Sequence, residues 1–204
     1  MQTQDTTIGL QPKLDVRAVG ARAAQIYAGI QAHSLYERLT LSSLYYTDCW
    51  FTNTGYATVS EWDQEKDAPV LAVEGLKVLA LKAAVYAATG DEKRAELLVP
   101  SAVDEMVHAI LAQPNVLNPI AADLGVRFVH ATELEEFGYE FGGETDALYD
   151  AAGFGPKPLR YWLPASEVNR RLELMRPGLE AAGVLDFGKK TTHKFDDTAA
   201  PAGV

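Results

Sequence analysis

The sequence contains a single cysteine, no long apolar run and no cluster of basic residues. Cys49 alone cannot form an intramolecular disulfide. The longest apolar stretches, such as 69–72 and 78–81, fall far short of the roughly 20 residues that a membrane-spanning helix needs. The opening residues, MQTQDTTIGLQPKLD, lack the basic and apolar regions of a secretory signal. These features predict a soluble protein of the reducing cytoplasm, with no membrane as partner.

Charge argues against nucleic acid as a partner. The 18 basic and 28 acidic residues give a net charge of −10, whereas a phosphate backbone has to be met by clustered lysine and arginine. The pairs Arg170-Arg171 and Lys189-Lys190 are isolated from other basic residues. The sequence also contains no Gly-x-Ser-x-Gly, Walker A or Gly-x-Gly-x-x-Gly motif, which disfavours serine hydrolases, nucleotide hydrolases and Rossmann dehydrogenases.

Apolar residues recur at helical spacing along much of the chain. They predict a first helix over 14–33 and the clearest helix over 70–88, which ends at Gly90, a residue suited to a left-handed cap. We expect a last helix to be capped by Ser166 and to be kinked or shortened by Pro177. Further helices are expected over 34–46, 102–112, 116–124 and 144–152.

The predicted fold class is therefore all-α, an irregular helical bundle with long loops. Segment 45–62 differs in composition because it is rich in aromatic residues, threonine and glycine, so we expect either a long loop or a short β-hairpin there. The 204 residues suffice for one domain with its own core. We expect a flexible leader over 1–13, a single helical domain over 14–187 and a disordered tail over 188–204.

Segment 100–130 holds the residues best suited to chemistry. Asp104 and His108 lie four residues apart on a predicted helix, so their side chains share one face about one turn apart. This spacing lets both bind one metal ion, or lets the carboxylate orient the imidazole as a general base. With His130 they form a set of two histidines and one carboxylate. These three residues are the candidate catalytic residues and the candidate ligands of a divalent metal, iron or zinc.

A structural role for the same residues is also open. Ser101 precedes Asp104 by three residues, as in an N-terminal capping box, so Asp104 can serve only to start the helix. His108 and His130 can each be buried histidines in an ordinary hydrogen-bond network. The spacing alone does not decide between a metal or catalytic site and a structural network.

Two stretches of the sequence resemble a known family. LVPSAVDEMVHAIL followed by GVRFVHA, and later TDALYDAAGFGPKPLRYWLP, are similar to the two signature elements of the glycine-rich-domain-like protein family, formerly a domain of unknown function. The matching positions are Pro100, Ser101, Val103, Asp104, His108, Arg127, Phe128, His130, Thr145, Tyr149, Phe154, Gly155, Pro156, Trp162 and Pro164. Val107 replaces the family's tryptophan, and Ala131 replaces its second histidine. The resemblance implies that Asp104, His108 and His130 form one spatial cluster.

Aromatic residues form a second group of candidates. They can pack the core, or they can line an apolar pocket that holds a small molecule or peptide. The residues that we expect to contact such a substrate are Tyr45, Trp50, Tyr56, Trp62, Tyr86 and Tyr149.

Two functional hypotheses follow from these patterns. The first is a small enzyme or binding protein of bacterial specialised metabolism that acts on an apolar small molecule or peptide. In it, His108 is the base or a metal ligand, Asp104 is its orienting partner or a co-ligand, and His130 is a second ligand or an acid. The second hypothesis is a non-catalytic helical interaction module whose histidines are structural. The sequence leaves open whether the chain forms a homo-oligomer.

Overall fold

The helical periodicity of the sequence reappears in a computed structural model, which describes residues 14–49, 56–134, 136 and 138–194. Besides its helices, the described chain contains short 3-10 turns and two very short strands, β1 (Val184–Leu185) and β2 (Lys190–Thr191). The helices are α1 (Val16–Ala32), α2 (Tyr36–Cys49), α3 (Gln64–Thr89), α4 (Glu92–Ala95), α5 (Ser101–Leu111), α6 (Pro114–Leu124), α7 (Glu144–Ala151) and α8 (Ala165–Ala181). The prediction of an all-α, irregular helical bundle is confirmed.

A short antiparallel β-hairpin lies near the end of the described chain, and the described parts of segment 45–62, residues 45–49 and 56–62, contain no strand. β1 pairs with β2, with Val184 opposite Thr191 and Leu185 opposite Lys190. Residues 45–49 instead continue α2, and Tyr56–Thr58 form a 3-10 turn, because packing of α2 against α3 and α5 overrides the β-propensity of the aromatic residues. Residues 50–55 lie outside the described residues.

The expected ends of the domain need one correction. β2 lies within the segment 188–204 that we expect to be disordered, and the Thr192 amide also donates to the Gly183 carbonyl at 2.9 Å. The prediction of disorder is therefore wrong for the start of this segment, because pairing with β1 satisfies its main-chain groups. Residues 195–204, like the leader 1–13, lie outside the described residues.

Helix α3 begins six residues earlier than its apolar pattern predicts. Asp63 caps it, since the Asp63 side chain accepts from the amides of Glu65 and Lys66, so polar residues extend the helix ahead of the apolar stretch. The helix ends at Gly90, whose φ of 67° confirms the predicted left-handed cap.

Helix α8 continues through Pro177 to Ala181, so the expected shortening is wrong. Its N-cap position is Pro164, with no side-chain cap, and Ser166 instead donates its amide to Glu140.

The core is built around α3, which packs against α1, α2 and α5. Its residues 71–72, 76, 78–81 and 83–85 are almost completely buried on all sides of the helix. No helix in the described part of the chain is both long and apolar enough to cross a membrane. Helix α3 also buries three charged residues, Asp67, Glu74 and Lys82, each with at most 4% of its surface exposed. A buried charge requires hydrogen-bonded partners, so these three positions identify where polar networks enter the core.

Two of these networks tie the loop before α8 to α3. Glu74 accepts hydrogen bonds from Lys77 Nζ at 2.8 Å, from the Tyr149 hydroxyl at 2.9 Å and from the Trp162 indole at 2.8 Å. Asp67 binds Arg160 through both of its oxygens, at 2.8 and 3.0 Å. The third network, around Lys82, includes the histidines.

Candidate metal centre

Helix α5 positions two of the three predicted residues. Ser101 is its first residue and Pro100 occupies the N-cap position without a side-chain hydrogen bond, so the predicted capping box is wrong. Asp104 lies in the first turn and is 5% exposed, whereas 37% of the His108 side chain is exposed. His108 Nε2 lies 3.6 Å from Asp104 Oδ2, which confirms that the four-residue spacing places both groups on one face.

His130 reaches the same place from a separate segment. Helix α6 ends at Gly125, whose φ of 61° turns the chain, and the following residues return toward α3 and α5 without regular structure. The His130 ring is 4% exposed, and its Nε2 atom lies 2.6 Å from His108 Nε2. One ligand atom from each of Asp104, His108 and His130 lies within 4.8 Å of the others. The expected spatial cluster is therefore present.

Lys82 and Glu96 complete the cluster, and our sequence analysis did not identify either. Their side chains are 1% and 2% exposed, and Lys82 Nζ donates to Glu96 Oε2 at 2.5 Å. Lys82 Nζ also lies 2.9 Å from His130 Nδ1, and Glu96 Oε2 lies 3.3 Å from the same nitrogen. One signal was available in the sequence: Lys82 interrupts an apolar stretch, and a lysine buried there needs a charged partner.

The charge of Glu96 is fixed by opposing influences. Burial alone raises the pKa of this carboxyl, but the contacts with His130 and Lys82, the charge of Lys82 and the Ala131 amide outweigh it and lower the pKa to about 2. Asp104 adds a second carboxyl group to the cluster, beside the two imidazoles and the Lys82–Glu96 pair. Imidazole nitrogens and carboxylate oxygens are ligands that divalent transition metals accept.

The arrangement matches the architecture of metal sites in proteins. Two imidazoles and one carboxylate converge from two segments, and a carboxylate lies behind the buried imidazole, as is common for histidines that bind metals. Three protein ligands leave coordination positions for water or substrate. The exposed side of His108 gives such a molecule access from solvent.

Four of the aromatic candidates come from segment 45–62, which begins on α2 and leads to α3. Tyr45 is 71% exposed on α2, and Trp50 lies outside the described residues. Tyr56 is buried and stacks on Trp62, with ring centroids 4.5 Å apart. The stacked pair packs with the core, which is the structural role that the sequence left open.

The other two aromatic candidates lie elsewhere. Tyr149 is fully buried in the Glu74 network, and the Tyr86 hydroxyl accepts from Arg127 at 2.8 Å. A cleft of about 420 Å³ lies beside α4, but none of the six candidates lines it, and it touches the histidine cluster only through Glu96. The five aromatic candidates within the described residues therefore do not share one pocket around the cluster.

Comparison with known proteins gives no match for this chain. No family model matches the chain, and no curated protein or solved structure gives a significant match. The function is therefore argued from the geometry of the cluster.

Proposed function

We propose that this chain binds a divalent transition metal, zinc or iron, through Asp104, His108 and His130, and that it is a small metal-dependent enzyme. The observation that carries the proposal is the convergence of the three ligand atoms within 4.8 Å from two separate segments. Local helix geometry explains the approach of Asp104 to His108. The approach of His130 needs the whole fold, since it depends on how α6 returns the chain to α3.

The distances suit a metal after a small adjustment. With metal–nitrogen bonds of about 2.1 Å, neighbouring ligand atoms lie about 3 Å apart around an octahedral ion and about 3.4 Å apart around a tetrahedral one. The separation of 3.6 Å between Asp104 and His108 is close to the wider value, and the 2.6 Å between the two Nε2 atoms is narrower than both. His108 is the most exposed of the three and would have to move outward by about 0.4–0.8 Å, while His130 is held in place by Lys82 and Glu96.

The open side of the cluster supports the proposal of an enzymatic role. A bound metal of this kind supplies Lewis acidity and activates water near neutral pH. His130 lies on the buried side, whereas His108 borders solvent, so a small molecule or peptide would approach from the His108 side. Asp104 Oδ2 lies 3.6 Å from His108 Nε2, so a metal bound by the imidazole would also be within reach of the carboxylate.

Metal binding by protein purified without an affinity tag tests the proposal. We expect about one equivalent of zinc or iron in the wild type. His108→Ala and His130→Ala should each lower the affinity by more than roughly 100-fold, because each removes a direct metal ligand and not only a residue that supports one. His33→Ala is a matched control because His33 Nε2 pairs with Asp123 Oδ2 at 3.1 Å, outside the cluster. A wild type that binds no metal, or a His33→Ala loss equal to that of His108→Ala, refutes the proposal.

A structural histidine pair is the second candidate function, and one observation favours it. The His130 ring is buried and already has a partner at each nitrogen, namely Lys82 at 2.9 Å and His108 at 2.6 Å. In a non-catalytic helical module, these bonds would serve stability alone. That alternative predicts a lower melting temperature for His108→Ala and no change of the wild-type melting temperature when zinc is added.

We also propose that the chain is a divergent member of the glycine-rich-domain-like family. The support is that both resembling stretches contribute residues to networks on one helix, since Tyr149 and Trp162 bind Glu74 of α3 and His130 lies beside Lys82. A solved structure of a family member tests this relationship. Matching elements that do not pack on one central helix would contradict it.

A further inference from the structure

The Nδ1 atom of His130 faces two groups with opposite hydrogen-bonding character. Lys82 Nζ lies 2.9 Å away and Glu96 Oε2 lies 3.3 Å away. An ammonium group only donates and a carboxylate only accepts. His130 Nδ1 can therefore accept from Lys82 or donate to Glu96, but it cannot do both at once.

The choice at Nδ1 determines what Nε2 can do, because a neutral imidazole carries one proton. When Nδ1 accepts from Lys82, the proton is on Nε2, which then donates to His108 Nε2 at 2.6 Å. A metal needs the lone pair of Nε2, so metal binding requires the proton to be on Nδ1, where Glu96 accepts it.

We propose that Lys82 and Glu96 are positioning residues that act on His130 in opposite directions. Lys82 stabilises the Nε2–H tautomer, in which His130 bonds to His108. Glu96 stabilises the Nδ1–H tautomer, in which His130 binds metal. The second half rests on the proposed metal function, whereas the first half concerns the metal-free protein. The proton count of His130 is unchanged, since one proton leaves Nε2 and one is taken up at Nδ1.

Both positioning residues are held rigidly. Glu96 Oε1 accepts from the Ala131 amide at 2.5 Å, so the carboxylate is fixed to the main chain next to His130. Its other oxygen accepts from Lys82 at 2.5 Å, which keeps the ammonium paired in either tautomer. The side chains of Lys82, Glu96 and His130 are between 1% and 4% exposed, so water does not readily replace any of these hydrogen-bond partners.

Two substitutions with opposite expected effects test the proposal. Glu96→Gln removes the charged acceptor and lowers zinc affinity by roughly 10- to 100-fold. Lys82→Met removes the competing donor and raises zinc affinity. Glu74→Gln and Lys77→Met are the matched controls, because they break a buried lysine–glutamate pair on the same helix, 2.8 Å long, without touching a histidine. The controls are expected to leave zinc affinity unchanged.

Loss of affinity in both Lys82→Met and Glu96→Gln overturns the proposal, because that result indicates packing alone. The same conclusion follows if affinity falls in step with melting temperature across all four variants. Competition against a zinc chelator measures the affinities, and thermal unfolding of the same metal-free preparations measures stability.

Nitrogen NMR of protein labelled with ¹⁵N-histidine reads the tautomer directly. The chain has 4 histidines, so single histidine variants assign the signals. We expect an unprotonated Nδ1 on His130 in the metal-free wild type at mildly alkaline pH, and a shift toward Nδ1–H in Lys82→Met. A wild type that already carries the proton on Nδ1 overturns the role of Lys82. If the wild type binds no zinc, the proposed function and the Glu96 half fail together, while these spectra still decide the Lys82 half.

Discussion

Gly20 lies where α1 meets α7 more closely than any side chain allows. A Cβ atom added there would lie 2.6 Å from both the main-chain carbon and the Cβ atom of Ala151, and 2.8 Å from the Ala152 nitrogen. Two of these atoms belong to the main chain, so no side-chain rotation relieves the contact. In Gly20→Ala the helices must separate by about 0.8 Å, the difference between 2.6 Å and the 3.4 Å at which ordinary contact begins.

The free energy of unfolding should fall by about 2 kcal/mol in Gly20→Ala. Overpacking costs about 1–3 kcal/mol, and a contact with main chain belongs at the upper end of that range. Alanine offsets about 1 kcal/mol because it has the higher helix propensity. In a chain of this size, the remaining cost corresponds to a decrease in melting temperature of roughly 4–8 °C.

Urea and thermal unfolding measure this effect, and Gly178→Ala on α8 is the matched control. In the described part of the chain, and apart from the neighbouring residues and the helix's own backbone, no atom lies within 4 Å of a Cβ added at Gly178, so the control keeps the propensity gain and should stabilise the protein by roughly 0.5–1 kcal/mol. The two variants thus differ in sign although both exchange glycine for alanine in a helix. Equal stability changes at both positions would refute the close approach of α1 and α7.

Three further predictions concern the polar networks and one cap. Asp67→Asn should make the free energy of unfolding less dependent on pH below pH 6. In the wild type the Arg160 hydrogen bond outweighs burial and lowers the Asp67 pKa, so the ionised carboxylate stabilises the fold above the ordinary carboxyl pKa and loses this effect as the pH falls toward the depressed pKa. Urea unfolding from pH 6 to pH 2 measures the difference between the two proteins. Tyr149→Phe should cost roughly 1–3 kcal/mol by removing a donor from buried Glu74, and an unchanged urea midpoint would contradict that network. Gly90→Ala should cost roughly 1 kcal/mol because φ is 67° there, whereas a stabilised variant in thermal unfolding would argue against the left-handed cap.

The fold was predictable from the sequence where structure is local. The spacing of apolar residues identified the main helices, and Gly90 marked the end of α3. The predictions that failed depend on partners elsewhere in the chain. β1 pairs with a strand inside the expected tail, and α2 continues into a segment of β-forming residues because of its packing. Local propensity cannot decide between such alternatives, since tertiary contacts contribute more.

The candidate site divides in the same way. Asp104 and His108 were predictable because four residues on a helix bring two side chains onto one face. His130 could be proposed only from its residue type and from the family resemblance. Its position, 2.6 Å from His108, depends on the fold as a whole. Lys82 and Glu96 had no local signal as a pair, because they come from α3 and from the residue after α4.

Helix α3 carries three buried charged networks, and their composition shows why one of them is suited to chemistry. Asp67 and Glu74 accept hydrogen bonds at both oxygens from groups of lysine, arginine, tyrosine and tryptophan. These two networks hold the loop before α8 against α3. The network of Lys82 contains two imidazoles, whose nitrogens either donate or accept. Like the Asp67 network, which reaches the partly exposed Arg160, it extends from the core to a partly exposed side chain, that of His108. The metal binding that we propose therefore uses the network whose groups can exchange donor and acceptor roles, at the Lys82 end of α3.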